Sequence, residues 1–295
     1  MGGRAGGSGN FNPYSMNAIT PYEGIINENY FRIKQRETEL TANLELFKYI
    51  TKNPFNKQLE YFIGMLVKSK YDGIGRQLDE LDISIALDIS GSMGCYIQRK
   101  PTFKELLQKE TNSENDNSYY NKNFDSEKDR ITIAKECLFK LIDSMNDKMN
   151  MALTTFNTES KVIIPLSPKK EIQSISSQIN RIQANGGTDL SVALQGAADC
   201  LLESKSKFKR VIIITDGWDN TPGFMDLASK YNEKDILITV LSIDSSSNTS
   251  MYEKLSELKG CNYYFILNEK DMEKYLVQQL NYICFPSLYD MIIEF

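Results

Sequence analysis

The chain has 295 residues, room for one large domain with a sizeable core, and its 34 basic and 39 acidic side chains leave a formal charge of −5. It contains no histidine, which closes off Ser-His-Asp and Cys-His catalysis, histidine-ligated zinc and phosphohistidine chemistry. A net negative chain without a basic stripe does not suit nucleic acid, and no apolar run reaches the roughly eighteen residues of a membrane span.

In chain order, residues 1–20 open on a glycine tract, Met1 to Asn10, that reads as flexible. Gly6 stands where an N-myristoylation pattern asks for Ser or Thr, and the N-terminus lacks the apolar core of a signal peptide. The expected compartment is therefore cytoplasmic, or extracellular if a leader is missing. Residues 21–80 form an extension with two extended segments, Tyr22–Ile26 and Leu59–Val67, separated by a polar stretch with room for a short helix.

From 81 to 284 strand and helix patterns alternate. This predicts an α/β domain: a doubly wound, mostly parallel, Rossmann-like sheet with one antiparallel edge strand. The first strand, Ile83–Leu87, ends at Asp88. A polar insertion over 98–125 follows, read as a tolerated surface loop, with Thr102–Lys109 as a short helix within it and a role beside the neighbouring loop as the other reading. Ser126 is placed to cap a helix with Ile131, Ala134, Leu138, Leu141, Ile142 and Met145 inward. Met151–Phe156 and Lys161–Pro165 flank Asn157–Ser160 as a hairpin that supplies the edge strand. Ile172, Ile175, Ile179 and Ile182 make a helical stripe, and Asp189–Ser204 a further helix.

The all-apolar run Val211–Ile214 has the composition of a central strand buried on both faces. A helix over Gly223–Lys234, a strand Ile236–Ile243, a short helix Tyr252–Leu258 and a strand Asn262–Ile266 follow. Asn268 caps a closing helix with Met272, Tyr275, Leu276, Leu280 and Ile283 inward. Residues 285–295 finish in a strand-like segment, Leu288–Phe295, expected to pair with Phe62–Val67 in a small partial β-sheet built by the two flanks. Cys95, Cys137, Cys200, Cys261 and Cys284 are odd in number and contain no Cys-x-x-Cys, so free thiols are expected.

The chemistry lies in the loops. Asp88-Ile89-Ser90-Gly91-Ser92 delivers a carboxylate and two hydroxyls at alternate positions after a strand, where they can converge on one small hard cation. Taken alone it is equally a turn held by Asx and Ser side chains. Gly186-Gly187-Thr188-Asp189 adds a hydroxyl before a helix, and Thr215-Asp216-Gly217 a carboxylate at the end of a buried strand. Such ends are where open α/β sheets bind ligands. Neither serine sits in Gly-x-Ser-x-Gly, and no Walker A or Gly-x-Gly-x-x-Gly sequence occurs.

In order and spacing, Asp88-x-Ser90-x-Ser92, Thr188 and Asp216-Gly217 resemble the metal-ion-dependent adhesion site of a von Willebrand factor type A domain. The resemblance implies that Ser90, Ser92 and Thr188 bind the ion through hydroxyls and that Asp88 and Asp216 bind it directly or through water. A remaining position would take a partner's carboxylate. Two carboxylates roughly neutralise a divalent ion and leave it able to attract a third, and so few anionic ligands suit Mg²⁺, with Mn²⁺ or Ca²⁺ as alternatives.

The expected function is a non-enzymatic, adhesion-type protein–protein interaction module that binds an Asp or Glu of a protein partner through the ion. Gly187, Trp218 and Asp219 would form the partner-binding rim. Trp218 reads as an anchor or as a lid on its own loop, and Asp219 as a solvated acid or a tuner of the metal. A Mg²⁺-dependent hydrolase, or a subunit of such an enzyme complex, is the alternative, weakened by the lack of histidine, of a phosphate-cradling loop and of lysine in the motifs. A scaffold stiffened by its metal is the third reading.

Overall fold

Strands that are apolar at every position need cover on both faces, and the fold provides it. In the computed structural model, residues 42–53, 55–69, 81–98, 124–217, 223–243 and 249–284 are described. Tyr22–Ile26, Thr102–Lys109, Trp218, Asp219 and Leu288–Phe295 lie outside the described residues.

The central sheet has six strands: β3 (Leu81–Asp88), β6 (Met149–Phe156), β7 (Ser160–Pro168), β8 (Phe208–Thr215), β9 (Ile236–Ile243) and β10 (Asn262–Ile266). Their order is β10-β9-β8-β3-β6-β7. All pairings are parallel except β6 with the edge strand β7. The sheet is therefore mixed and mostly parallel, with helices on both faces.

Side chains alternate between two buried clusters, as a period of two requires. Leu81, Ile83, Ile85 and Leu87 join Ile212 and Ile214 on one face, with α1 (Arg130–Ser144), α2 (Lys169–Ile175), α3 (Ser177–Asn180) and the closing helical segments. Ala86, Val211, Ile213 and Val240 face α4 (Leu190–Asp199), α5 (Phe224–Asn232) and α6 (Thr249–Ser256). Gly196 lets α4 come close to β7, because a Cβ there would lie 2.0 Å from Ser160 Oγ.

Several local expectations change. Asp129, not Ser126, caps α1: its side chain accepts from Thr132 N at 2.9 Å, because Ser126 belongs to β5 (Phe124–Asp129). That strand pairs antiparallel with β4 (Tyr96–Gln98), so a short ribbon takes up the two ends of the polar insertion. The isoleucine stripe is divided between α2 and α3, where Ser174 and Ser176 hydroxyls donate back to the carbonyls of Glu171 and Gln173. Helix α4 stops at Asp199, and Ser204 Oγ donates to buried Asp82 at 2.6 Å.

The closing segment runs as α7 (Glu269–Glu273), a π-helical turn Lys274–Gln278 and α8 (Leu280–Cys284), capped by Asn268, which accepts from Asp271 N. Met272, Leu276, Leu280 and Ile283 are buried as their spacing predicts. The five cysteines are free. No helix among the described residues is long and apolar enough to cross a membrane.

In the N-terminal extension, β2 (Leu59–Ser69) pairs antiparallel with β1 (Ala42–Lys52), from Ala42↔Ser69 to Lys52↔Leu59. Residues 42–52 are thus a strand where the polar stretch left room for a helix. Leu44, Leu46 and Ile50 recur at even spacing, and eleven residues of ladder pair the facing backbone groups of both segments.

Candidate functional site

Parallel neighbours end side by side, so the register of β3 with β8 brings the loops after Asp88 and Thr215 together at the carboxyl edge of the sheet. The chain leaves β3 for β6 on one side and reaches β8 on the other, which makes this edge a topological switch point.

Asp88 is fully buried, and both its oxygens are held. Oδ1 accepts from Ser90 N at 2.7 Å and Oδ2 from Thr215 Oγ1 at 2.6 Å. Ser90 Oγ lies 3.1 Å from Ser92 Oγ, which in turn donates to Asp216 Oδ1 at 2.8 Å. Asp216 Oδ2 accepts from a guanidinium nitrogen of Arg130. Thr188 sits against Gly217, where a Cβ would lie 3.0 Å from Thr188 Oγ1 and 3.2 Å from its methyl.

Backbone bonds stitch the loops to one another. Gly91 N donates to Gly186 O, Asn185 N to Ile89 O, Ile89 N to Phe156 O and Asp189 N to Asn157 O. Gly186 has φ +90°, and a Cβ there would meet Asn157 Nδ2 at 2.8 Å, so this turn needs glycine. Gly187 beside it is exposed, with Thr158 as its close neighbour.

The structure therefore brings Asp88, Ser90, Ser92, Thr188 and Asp216 together, with Gly187 at their edge. Trp218 and Asp219 fall outside the described residues. Two residues of the site escaped the sequence reading. Thr215 anchors Asp88, and a hydroxyl closing the apolar run Val211–Ile214 is the signal for it. Arg130 had a signal too: a cation at the first position of a helix opposes the helix dipole, so its charge is used elsewhere.

Two carboxylates and three hydroxyls form an all-oxygen set, the chemistry that hard divalent ions take. Ligands about 2.1 Å from a Mg²⁺ and at right angles lie roughly 3 Å apart. The 3.1 and 2.8 Å separations along Ser90, Ser92 and Asp216 match that spacing. Among the described residues no three His, Cys, Asp or Glu side chains gather as a metal cluster, so any metal here depends on the hydroxyls. The residues fit such an ion, with Arg130 as a cation already on one carboxylate.

Crowding at Gly217 gives a test that removes no donor. Gly217→Ala should push Thr188 Oγ1 aside and weaken Mg²⁺ binding about tenfold, the size of effect seen when support around metal ligands is lost. Calorimetry should show this with the melting temperature little changed, and an unaltered Mg²⁺ affinity would count against Thr188 as a donor.

Burial lifts the Asp88 carboxyl above its ordinary 3.8, against the pull of the hydrogen bonds from Thr215 and Ser90, and the charge of Asp216 lifts it further. The folded chain then holds this proton more tightly than the unfolded one. Its contribution to stability falls as pH rises from 3.8 toward the raised value, leaving a net cost for burying this group at neutral pH. In chelator, Asp88→Asn should melt at or above wild type at pH 7, by roughly 2–4 °C per kcal/mol recovered, and the gap should close toward pH 4. A variant that melts lower than wild type at pH 7 contradicts this.

Comparison with known proteins adds the family. Residues 82–279 match the von Willebrand factor type A domain, and this stretch makes up most of the chain. The chain belongs to that family. A relative, the uncharacterized protein YfbK of Escherichia coli K12, is 21% identical over 162 residues, covering 52% of this chain and 28% of its own length. The chain thus spans well under half of that relative.

Among solved structures, the von Willebrand factor type A protein from Catenulispora acidiphila superposes with a TM-score of 0.54 at 14% identity, covering 85% of this chain and 52% of that one. The conserved hypothetical protein BatB from Bacteroides thetaiotaomicron does so at 0.50 and 18% identity, covering 69% and 98%. These likenesses support the fold of this type A domain. Domains of the family mediate protein–protein interaction.

Proposed function

We propose that this type A domain is a metal-dependent interaction module that binds an acidic side chain of a protein partner through a divalent cation, with Mg²⁺ as the first choice. The observation that carries the reading is the chain of contacts from Ser90 through Ser92 to Asp216, which sets oxygens of two loops 124 residues apart side by side. Bound there, the ion would supply a positive centre able to take an anionic oxygen from outside. The protein's own residues do the rest.

Thr215 and the Ser90 amide orient Asp88, and the Gly186 turn, held by Asn157, sets Thr188 facing Gly217. Ser92 is exposed at the rim, while Ser90, Asp88 and the Asp216 side chain are buried beneath it. That arrangement suits recognition of a projecting carboxylate better than turnover, because the chain has no histidine and no lysine stands among the described residues of the site to move a proton. Trp218, Asp219 and Gly187 are the proposed rim contacts.

Capture of partners by the immobilised chain tests the reading. Specific partners should elute with chelator and return with Mg²⁺, and an acidic-to-amide change in the captured partner should abolish retention. Retention unaffected by chelator contradicts the proposal and favours the scaffold reading.

A further inference from the structure

Arg130 is the residue of this site that neither the motif spacing nor the proposed function explains. It opens α1, where its charge faces the positive end of the helix dipole. Its position is fixed by backbone: Arg130 N donates to Cys95 O at 3.0 Å, and Asp129 pairs with Tyr96 in the β4–β5 ribbon that closes the insertion. The guanidinium thereby lies over the metal loop. One of its nitrogens donates to Asp216 Oδ2 and reaches the Ser92 carbonyl at 3.4 Å.

The side chain of Asp216 is completely buried, and a buried charged carboxylate is costly unless it is paired or fully hydrogen-bonded. Arg130 provides the pairing, yet its hold is partial. Nε is buried without a hydrogen-bond partner among the described residues, and one terminal nitrogen makes both contacts. A bidentate fork would use two nitrogens and be far harder to dislodge. Arg130 places a positive charge on Asp216, which weakens the attraction of these oxygens for a divalent ion.

We propose that Arg130 is an internal cation that occupies Asp216 when no metal is bound and gives way when a divalent ion enters, so that it sets the metal affinity of the site. This rests on the metal-dependent reading above. The β4–β5 ribbon shares the backbone that holds Arg130, so movement of that ribbon would be felt at Asp216.

The test is calorimetric Mg²⁺ titration of the full chain as wild type, Arg130→Gln and Arg130→Lys, with thermal unfolding of the same proteins in chelator. Arg130→Gln should bind Mg²⁺ at least tenfold more tightly, and Arg130→Lys should stay near wild type. In chelator Arg130→Gln should melt below wild type, and adding Asp216→Asn should recover part of that loss. Arg130→Met, which keeps the buried stem, replaces Gln should that variant fail to fold.

Equal or weaker Mg²⁺ binding by Arg130→Gln, with wild type binding normally, overturns the competition and leaves the metal site standing. Strictly additive losses for Arg130→Gln and Asp216→Asn in chelator overturn the coupling. Absence of Mg²⁺ and Mn²⁺ binding in both wild type and Arg130→Gln overturns this proposal together with the metal reading.

Discussion

Asp88→Asn and Asp216→Asn should both lose Mg²⁺ binding by more than about 100-fold, beyond what altered support around a metal ligand costs, yet shift metal-free stability in opposite directions. The two carboxylates share the site but not their surroundings. Asp88 is buried, is held by neutral donors and has its pKa raised, so removing its charge relieves a cost at neutral pH. Asp216 is buried against Arg130, and taking its charge away strands a guanidinium whose side chain is only 12% exposed.

Breaking such a pair from one side costs about 3 kcal/mol or more. For a domain of this size that amounts to roughly 6–12 °C in melting temperature. Thermal unfolding in chelator should therefore find Asp88→Asn at or above wild type and Asp216→Asn clearly below. Matching losses in the two variants would show that Arg130 does not distinguish the carboxylates in solution.

The largest purely structural effect is expected at Gly196. Alanine is favoured over glycine inside a helix by about 1 kcal/mol, so propensity alone makes Gly196→Ala stabilising. The added Cβ would lie 2.0 Å from Ser160 Oγ and 2.7 Å from Ser160 Cβ; rotation about χ1 can move Oγ, but Cβ is fixed to the strand backbone. Overpacking of this kind costs about 1–3 kcal/mol and more when rigid elements collide, so sterics outweigh propensity. Denaturant unfolding should show a net loss of up to about 2 kcal/mol, with Ser160→Gly restoring part of it in the double variant. A stabilised Gly196→Ala would mean that α4 and β7 stand further apart.

What the sequence made legible was governed by periodicity and by local donors. Ile236–Ile243 and Asn262–Ile266 were placed to the residue because apolar runs bounded by turn residues have little freedom as strands. Asp88, Ser90 and Ser92 alone are equally an ordinary turn, and they stand out only when Thr188 and Asp216, the latter ending a second buried strand, are set beside them.

Less legible features depended on contacts far apart in the chain. Ser126 looked like the cap of α1, but pairing of Phe124–Asp129 with Tyr96–Gln98 moved the helix start to Asp129. Residues 42–52 became a strand only through their ladder with Leu59–Ser69. Arg130 stands 86 positions from Asp216, and nothing local to either reveals their pairing except an ill-placed charge at a helix start.

A crystal structure of the wild-type chain grown with Mn²⁺ would test the central claim most directly, through the anomalous signal of the ion. A single peak is predicted within bonding distance of Ser90, Ser92 and Thr188 hydroxyls, with Arg130 withdrawn from Asp216. A fully ordered site with no anomalous peak there, or with Arg130 still seated on Asp216 beside a peak elsewhere, would contradict the account.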